Sequence, residues 1–524
     1  MNSFDYPRVF LYNGFCTFSF SKMINRFRQV VNNVITAQTN AQFPSGGKAV
    51  GGVDENETAG KKLRHPYCRP VFLHLSEEEV GIATDIVVRP ILVPRDLSNL
   101  PWYTGYAEVV NAGKSKQNED QAAAGHYSIK CPPQEPVTET QSPDNGPAPI
   151  AQTKEVEELQ EDINLTYFGL FDGHAGFGTA VMASHTLHHI ILEKLLSIQH
   201  FLVNSTIEQR QFTKSNDSRP AKWPFAVKDM SVESMVIGAL EKAFLDMDKL
   251  IGQQKQSYFI SGGCTSLVAV FLFDKLYIAN AGDSRAIICR AGEVIQMSYD
   301  FTPLTERRRL QAIAKQKPEL LGNDFTSLEY QKRVQRKDLG KMLLFRDSNM
   351  SGWALKRITE DDLKFPLVFG EGKRARVLAT IGVTRGFGDH DLKVCGTDIY
   401  IKPFLSPAPD VQVYNLFEYD HSENDVLIMG TDGLWDVLSN EQAATVVNEV
   451  LESFPANDYK RYASAAQELV MAARGVLREK GWRIHDDKPG SGDDITVYVI
   501  PLCRHQNMSR ENSFTESREV SPSE

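Results

Sequence analysis

Cysteine is scarce in this sequence, and its seven cysteines show no pairing pattern. Their number is odd, they are scattered over 524 residues, and no two of them form a CxxC motif. Disulfide frameworks and structural zinc sites both need closely spaced cysteines. The sequence therefore predicts reduced thiols in a cytoplasmic protein.

Long hydrophobic runs are also missing. No run approaches the roughly 20 residues of a membrane-spanning helix, and the N-terminus lacks the hydrophobic region and cleavage site of a secretory signal. The net charge of −10 argues against a general nucleic-acid binder. Hydrophobic residues still make up 42% of the chain, which is enough for a sizeable core. These features together are typical of a soluble enzyme.

Acidic residues stand at the ends of apolar runs in five places. The five motifs are Asn118-Glu119-Asp120, Phe171-Asp172-Gly173-His174, Gly282-Asp283-Ser284-Arg285, TDGLWD at 431–436 and GDDIT at 492–496. Carboxylates at the ends of buried strands sit on rigid backbone and can converge at one end of a sheet. Several carboxylates gathered there repel one another unless cations neutralise them. The pattern therefore predicts a metal-ion site.

The kind of metal follows from the kind of ligand. Hard oxygen ligands without a Cys/His cluster favour Mg²⁺ or Mn²⁺ over zinc. Gly173 has no Cβ, so its carbonyl can approach an ion, and a pair of ions can activate a water and bind a phosphoryl group. His174 is placed to donate a proton to a leaving alkoxide. Any one Asp-Gly dipeptide is explained as a turn, but five such motifs in one chain favour a functional site.

The order of predicted elements suggests the fold. Two long helices, over 178–196 and 232–254, are followed by a meander of short strands, then by helices over 440–453 and 459–479 and a last strand. We predict an α+β fold in which two antiparallel sheets pack face to face, with helices outside and the acidic cleft at one end. The stretches 69–73 and 87–93 are predicted to be extended, and 300–376 to be a charged, irregular insertion.

The motifs resemble those of a known family. FDGHAG at 171–176, SGGCT at 261–265, TRGFGD at 384–389 and DGLWDV at 432–437, together with the Glu119, Asp283 and Asp493 motifs, occur in the order found in metal-dependent serine/threonine protein phosphatases of the 2C type. Longer stretches are most similar to the branch called protein phosphatase 1H, 1J and 1M. The resemblance covers roughly residues 85–502 and implies a four-layer α-β-β-α sandwich.

The resemblance also implies roles for individual residues. Glu119, Asp172 and the Gly173 carbonyl correspond to ligands of one ion, and Asp172, Asp432 and Asp493 to ligands of the other. Asp120 corresponds to a residue that holds a metal-bound water, and Asp283, Asp432 and Asp436 to a weak third metal site. His174 corresponds to the general acid, and a water-derived hydroxide attacks phosphorus without a phospho-enzyme.

One position departs from the family pattern. The family often has an arginine four residues before the Glu119 position, where it grips the substrate phosphate. Ser115 stands there in this chain, between Lys114 and Lys116. Either lysine can take over the phosphate contact, but a lysine lacks the bidentate fork of arginine. The alternative is that Lys114 is an ordinary solvated surface charge.

Local composition and the resemblance together set the expected domain boundaries. We expect a flexible leader at 1–60 and a catalytic domain at 61–502, with disordered insertions at 131–162 and 204–230, a flap at 300–376 and a disordered tail at 503–524. The flap has 17 basic and 11 acidic residues, which predicts that it attracts an acidic or phosphorylated partner. Two clusters stand out in it, Arg307-Arg308-Arg309 and Lys332-Arg333 with Arg336-Lys337. A solvated charged loop is the alternative.

Two other functions fit these residues less well. A haloacid-dehalogenase-type phosphatase needs an Asp-x-Asp pair, which the Asp172 motif lacks. A pseudophosphatase scaffold binds phosphoproteins without turnover and is expected where metal ligands are lost, but all of them are present here. The branch resemblance suggests regulatory substrates, including phosphorylated Rab-type small GTPases.

The leader contains one amphipathic pattern. Apolar residues recur from Met23 to Ile35 at helical spacing, and no acidic residue occurs between Tyr6 and Val53. An apolar stripe with basic flanks suits the surface of an anionic membrane. The pattern therefore predicts that residues 21–36 make peripheral contact with an internal membrane. Docking on the catalytic domain and a mitochondrial transit peptide are the alternatives.

Overall fold

The computed structural model describes residues 65–130, 162–202 and 231–505 of the chain. The α-helices there are α1 (Glu77–Ala83), α2 (Gly178–Ser197), α3 (Val232–Tyr258), α4 (Arg307–Gln316), α5 (Asp432–Trp435), α6 (Asn440–Ser453) and α7 (Lys460–Arg474). The predicted leader, the insertion at 204–230, nearly all of the one at 131–162 and the tail beyond residue 505 lie outside the described residues.

The strands follow one another along the same three ranges. They are β1 (Gly105–Val109), β2 (Gln121–Ile129), β3 (Ile163–Phe171), β4 (Gly173–His174), β5 (Gly263–Cys264), β6 (Ser266–Leu272), β7 (Lys275–Ala281), β8 (Arg285–Arg290), β9 (Glu293–Gln296), β10 (Phe325–Thr326), β11 (Glu329–Tyr330), β12 (Met342–Arg346), β13 (Ala354–Arg357), β14 (Phe365–Pro366), β15 (Val368–Phe369), β16 (Arg376–Val377), β17 (Phe387–Gly388), β18 (Asp410–Asn415), β19 (Val426–Gly430), β20 (Val476–Arg478), β21 (Gly481–Arg483) and β22 (Ile495–Pro501).

Two five-stranded antiparallel sheets form the centre of the fold. The first has the order β2-β3-β6-β7-β18 and the second the order β1-β22-β19-β8-β9. Side chains that include Phe168, Phe271, Leu427, Met429 and Tyr498 form one buried cluster between their inner faces. Alternate residues of each strand reach this layer, as expected for strands that are covered on both faces.

Helices cover the outer face of each sheet. Leu187 and Ile191 of α2 and Phe244 of α3 pack in a second cluster with residues of the first sheet. Val447 of α6 and Leu469 of α7 pack in a third cluster with the second sheet. The predicted four-layer α-β-β-α sandwich is therefore confirmed.

A small sheet ties three sequence motifs together. Its order is β4-β5-β17, and Gly263 pairs with both His174 and Gly388. The FDGH, SGGC and TRGFGD motifs, which are far apart in the sequence, thus meet at one end of the sandwich. This sheet positions the predicted general acid.

The flap is more regular than the sequence suggested. Residues 300–376 contain α4 and three small sheets, and residues such as Leu310, Phe325 and Leu367 form a hydrophobic cluster of their own together with 377–405. The prediction of an irregular insertion was wrong, because its short strands lack a periodic pattern long enough to recognise.

Two other predicted elements differ from the structure. Residues Val71–Leu73 form a 3₁₀ turn and α1 follows, where extended backbone was predicted at 69–73. The helix predicted over 459–479 ends at Arg474, because Gly475 takes a positive φ of 77° and starts the β20–β21 hairpin. Among the described helices, none is both long and apolar enough to cross a membrane.

Candidate metal and phosphate site

The acidic motifs meet because the strands that carry them end at the same edge. In the second sheet, Val109 pairs with Ile495, and Gly430 pairs with both Val497 and Arg285. The residues just beyond these pairs carry the acidic groups at 283, 432 and 493, and Glu119 and Asp120 directly precede β2, whose first residue Gln121 pairs with Phe171. In the first sheet, β3 ends at Phe171, directly before Asp172. The predicted convergence at one end of the sandwich is thus present.

Three carboxylates form the centre of the cluster. One oxygen each from Asp172, Asp283 and Asp432 lies within 4.8 Å of the others. Burial, followed by repulsion from Asp432, raises the pKa of Asp172 and also that of Asp283 well above the usual range. Burial and the charge of Asp493 raise the pKa of Asp432 to about 7. The mutual repulsion and the all-oxygen donor set both fit the hard divalent cations that the motifs predicted.

The loop at 118–120 brings two further carboxylates to the cluster. The backbone N–H of Glu119 donates to Asp494 Oδ2 over 3.0 Å, and its Oε1 accepts from the Gly176 N–H over 2.9 Å. Asp120 Oδ2 accepts from the Thr431 and Thr496 hydroxyls over 2.9 and 2.7 Å. Asp120 Oδ1 is buried and has no partner in the described part of the chain. An acceptor left over in this way fits the predicted role of holding a water.

Glycine is needed where the loops pass close to one another. A Cβ on Gly173 would lie 2.3 Å from the carbonyl oxygen of Glu119, and a Cβ on Gly433 would lie 1.9 Å from that of Asp494. Real Cβ atoms do not come this close, so a side chain at either position would force the acidic loops apart. Gly173 thus has a packing role in addition to its predicted carbonyl contact.

His174 is paired with an aspartate that the sequence analysis did not single out. Its Nε2 lies 2.6 Å from Asp389 Oδ2, and the Asp389 side chain is almost fully buried. A Cβ on Gly263 would collide with both groups, at 2.2 Å from Asp389 Oδ2 and 2.7 Å from His174 Nε2. The pairing through Nε2 fixes the orientation of the imidazole ring.

Lys114 and Lys116, which flank the position where the family often has an arginine, have different surroundings. Lys114 Nζ pairs with Asp493, and this contact and the nearby aspartates raise the pKa of Lys114 although its burial opposes that shift. Lys116 is exposed. Ser115 is occupied locally, because its hydroxyl donates to the Gln117 carbonyl and accepts from Asn111. Lys114 is therefore the one of the two that reaches the acidic cluster.

Asp436 contacts the flap. Its Oδ1 lies 2.8 Å from Lys373 Nζ, and the lysine also donates to its carbonyl oxygen. Of the residues predicted to form the third metal site, Asp283 and Asp432 lie in the cluster with Asp172, whereas Asp436 pairs with Lys373 of the flap.

Two conspicuous residues have structural surroundings. Cys264 is fully buried, and burial together with nearby carboxylates raises the pKa of its thiol, which disfavours the nucleophilic thiolate. Arg385 of the TRGFGD motif pairs with Glu306 at the base of the flap and donates to the Ala408 carbonyl over 2.9 Å. Both residues therefore have structural roles.

For three residues near the site, the sequence motifs alone predicted no role. Asp389 and Asp494 lie inside recognised motifs, TRGFGD and GDDIT, so motif membership was a usable signal for both. Arg69 lies 50 residues before Glu119 and donates to the carbonyls on either side of it. No local pattern marks Arg69, since its partners are brought to it by the fold.

Known proteins are similar to this chain over most of its length. The family model described as "Protein phosphatase 2C" matches residues 150–315 and 355–479. The chain is 50% identical to protein phosphatase 1H of Homo sapiens over 498 residues, which covers 88% of this chain and 95% of that protein. It is 44% identical to protein phosphatase 1J of Rattus norvegicus over 512 residues, covering 92% and 98%. A crystal structure of serine-threonine phosphatase 2C from Toxoplasma gondii matches with a TM-score of 0.37 and 18% identity, covering 79% of this chain and 99% of that one.

Proposed function

Because the chain belongs to the protein phosphatase 2C family and is a metal-dependent protein serine/threonine phosphatase, we propose that the acidic cluster binds two Mg²⁺ or Mn²⁺ ions. Glu119, Asp172 and the Gly173 carbonyl are proposed to hold one ion, and Asp172, Asp432 and Asp493 the other. The observation that carries this assignment is the cluster of Asp172, Asp283 and Asp432 oxygens within 4.8 Å. Like charges this close are tolerated at neutral pH only with cations or protons between them.

The chemistry at this cleft is phosphoester hydrolysis. Bound ions supply a water of lowered pKa as the nucleophile and neutralise charge on the phosphoryl oxygens. Asp120 contributes a buried acceptor, Oδ1, that can orient a water in the cleft. His174 is proposed to protonate the leaving serine or threonine oxygen, and Asp389 holds its ring in place.

Lys114 is proposed to contact the substrate phosphate. Its ammonium group already lies against Asp493 at the cluster, and 64% of its side chain is exposed. Asp493 would hold a cation when one is bound, and the Lys114 ammonium group beside it is then within reach of a phosphate in the cleft. The contact is a point charge, so we expect it to contribute affinity more than orientation.

We further propose regulatory phosphoproteins as substrates, with phosphorylated Rab-type small GTPases as candidates from the branch resemblance. The basic residues of the flap favour an acidic or phosphorylated partner, but fewer of them are available on the surface than the sequence suggested. Arg307 is buried against Glu329, and Arg309 pairs with Glu306. In the second cluster Lys332 pairs with Asp338 and Arg333 lies over the Phe365 ring, whereas Arg336 and Lys337 are exposed and are the pair that we propose meets a partner.

The test is Mn²⁺-dependent hydrolysis of a phosphothreonine peptide. We expect turnover that chelation abolishes and that Asp172→Ala removes, while Asp398→Ala, a change at a fully exposed aspartate, has no effect. Calorimetry with Mn²⁺ should show that Asp172→Ala loses metal binding as well. A wild-type protein that binds the peptide and the metal without turnover would support the scaffold alternative.

A further inference from the structure

Arg69 lies in a segment that precedes the first strand and yet reaches the metal site. Only 4% of Arg69 is exposed. Its Nε and Nη2 donate to the two carboxylate oxygens of Glu108 over 2.7 and 2.6 Å. Glu108 lies on β1, is fully buried and also accepts from the Tyr106 hydroxyl. One edge of the guanidinium is therefore held by a bidentate ion pair inside the protein.

The remaining nitrogen of the guanidinium points at the loop that carries Glu119. Nη1 donates to the carbonyl oxygen of Asn118 over 3.2 Å and to that of Asp120 over 2.7 Å. These are the two carbonyls that flank Glu119 in the chain. Asp494 Oδ2 accepts from the N–H of Glu119 on the same loop. The backbone of Glu119 is thus fixed by charged groups that bind both its N–H and the carbonyls around it.

The two residues before Arg69 anchor the segment again. The Cys68 carbonyl accepts from Gln121 Nε2 over 2.8 Å. The Tyr67 ring packs edge-on against Phe177, with ring centroids 5.1 Å apart. Phe177 directly follows the FDGHAG motif. The segment therefore contacts residues that directly follow both acidic motifs, Gln121 after Asp120 and Phe177 after FDGHAG.

Stability alone is a poor explanation for such a pair. A buried ion pair gains little over well-packed apolar residues of the same volume, because both charges lose their hydration. Arg69 does something that an apolar residue cannot do, since it donates to the carbonyls of the two residues that flank Glu119. We propose that Arg69 is a positioning residue for the metal site, which holds the Glu119 carboxylate where it can bind a cation. The inference rests on the proposed role of Glu119 as a metal ligand.

The first experiment compares two buried arginines. Arg69→Gln removes the bidentate pair and the fixed fork, whereas Arg461→Gln removes a guanidinium that is equally buried but binds Asn424, next to the far end of β19. Calorimetry with Mn²⁺ should show affinity about 10-fold to 100-fold weaker for Arg69→Gln, as is typical for residues that orient a metal ligand. Arg461→Gln should retain the wild-type affinity. Equal weakening in the two variants would overturn the proposal.

A second variant separates positioning from stability. Arg69→Met with Tyr106→Phe and Glu108→Met removes both charges and the hydroxyl together, so no buried charge is left without its partner and only the Asn118 and Asp120 carbonyls lose the Arg69 donor. We expect its melting temperature to be closer to the wild type than that of Arg69→Gln, while its Mn²⁺ affinity stays low. Activity should recover at saturating Mn²⁺, which places the defect in metal affinity and not in kcat. Metal affinity that recovers together with stability would show a merely structural role.

A final control tests the assignment on which the inference depends. Glu119→Gln should weaken Mn²⁺ binding at least as much as Arg69→Gln does. If Glu119→Gln leaves Mn²⁺ affinity unchanged, the proposed ligand set fails. If Glu119→Gln weakens binding and Arg69→Gln does not, the ligand set stands and the role of Arg69 is refuted.

Discussion

Asp389 and His174 are held 2.6 Å apart by the same small sheet. His174 lies on β4, and Asp389 directly follows β17 with a left-handed φ of 53°. Its backbone N–H donates to the Gly262 carbonyl over 3.1 Å. A left-handed aspartate is uncommon outside functional sites and tight turns. The geometry indicates that the backbone is shaped to bring this carboxylate to the imidazole.

The pair predicts a defect that depends on the leaving group. Asp389→Asn keeps the size of the side chain but removes the charge that stabilises a protonated His174. We expect kcat on a phosphothreonine peptide to fall roughly 10- to 100-fold, within the range for general acid catalysis. An aryl phosphate leaves without protonation, so its kcat should change much less. Asp391→Asn, at a neighbouring exposed aspartate, is the control, and equal losses on both substrates would argue against an acid role.

The acidic cluster predicts how stability depends on pH without metal. The pKa of Asp432 rises to about 7 from an unfolded value near 3.8, so between these values the folded state binds more protons than the unfolded chain. Stability of the metal-free protein should therefore fall as pH rises from about 4 to 7. Mn²⁺ should restore it at pH 7, and Asp432→Asn should flatten the slope. At pH 7 the free energy of unfolding of Asp432→Asn should exceed that of the wild type by more than about 1.4 kcal/mol, which is the equivalent of one pKa unit. Chemical denaturation in the presence of a chelator measures this difference. A metal-free protein whose stability rises with pH over this window would contradict the electrostatic account.

The contact at Lys114 predicts a change in substrate affinity. Lys114→Gln should raise KM for the phosphopeptide several-fold and change kcat less, since a lost surface charge contact costs up to about 1 kcal/mol. Lys116→Gln should have the smaller effect, because that side chain does not pair with the cluster. Steady-state kinetics at saturating Mn²⁺ distinguish the two. A larger KM change in Lys116→Gln would reverse the assignment.

Much of this site could be predicted because its residues sit in short motifs at strand ends. The apolar runs before Asp172 and Asp432 are long enough to identify as strands, and antiparallel pairing then brings the acidic residues to one edge. The regular structure of the flap could not be predicted in this way, since strands such as β10 and β14 are two residues long. Arg69 was out of reach for another reason. Its partners at Glu108, Asn118 and Asp120 are distant in sequence, so only the folded backbone shows what a buried arginine does there.

The flap predicts selectivity between protein and small substrates. Arg336→Glu with Lys337→Glu reverses two exposed charges, so activity on a phosphorylated protein partner should fall several-fold through weaker electrostatic attraction. Hydrolysis of a small aryl phosphate should be unchanged. Lys480→Glu with Lys488→Glu makes the same charge change outside the flap and is the control. Point substitutions are preferable to replacing the whole flap, because Arg385 and Glu306 tie its base to the TRGFGD loop. Equal losses on both substrates would indicate a structural role for the basic cluster.

The leader, which lies outside the described residues, carries the last prediction. We propose reversible attachment of residues 21–36 to an anionic membrane surface. Phe27→Glu with Val31→Glu places two charges in the apolar stripe, so sedimentation with anionic liposomes should fall sharply. Asn25→Glu with Gln29→Glu adds the same charge on the opposite side of the predicted helix. This control variant should therefore sediment less than the parent only because its added charges repel the anionic surface. High salt should reduce that difference between the control variant and the parent. Catalysis on a soluble phosphopeptide should be the same in all three proteins, since the changes lie outside the cleft. If the apolar-stripe variant sediments like the parent, or if the segment is cleaved off in cells, the leader serves docking or import instead.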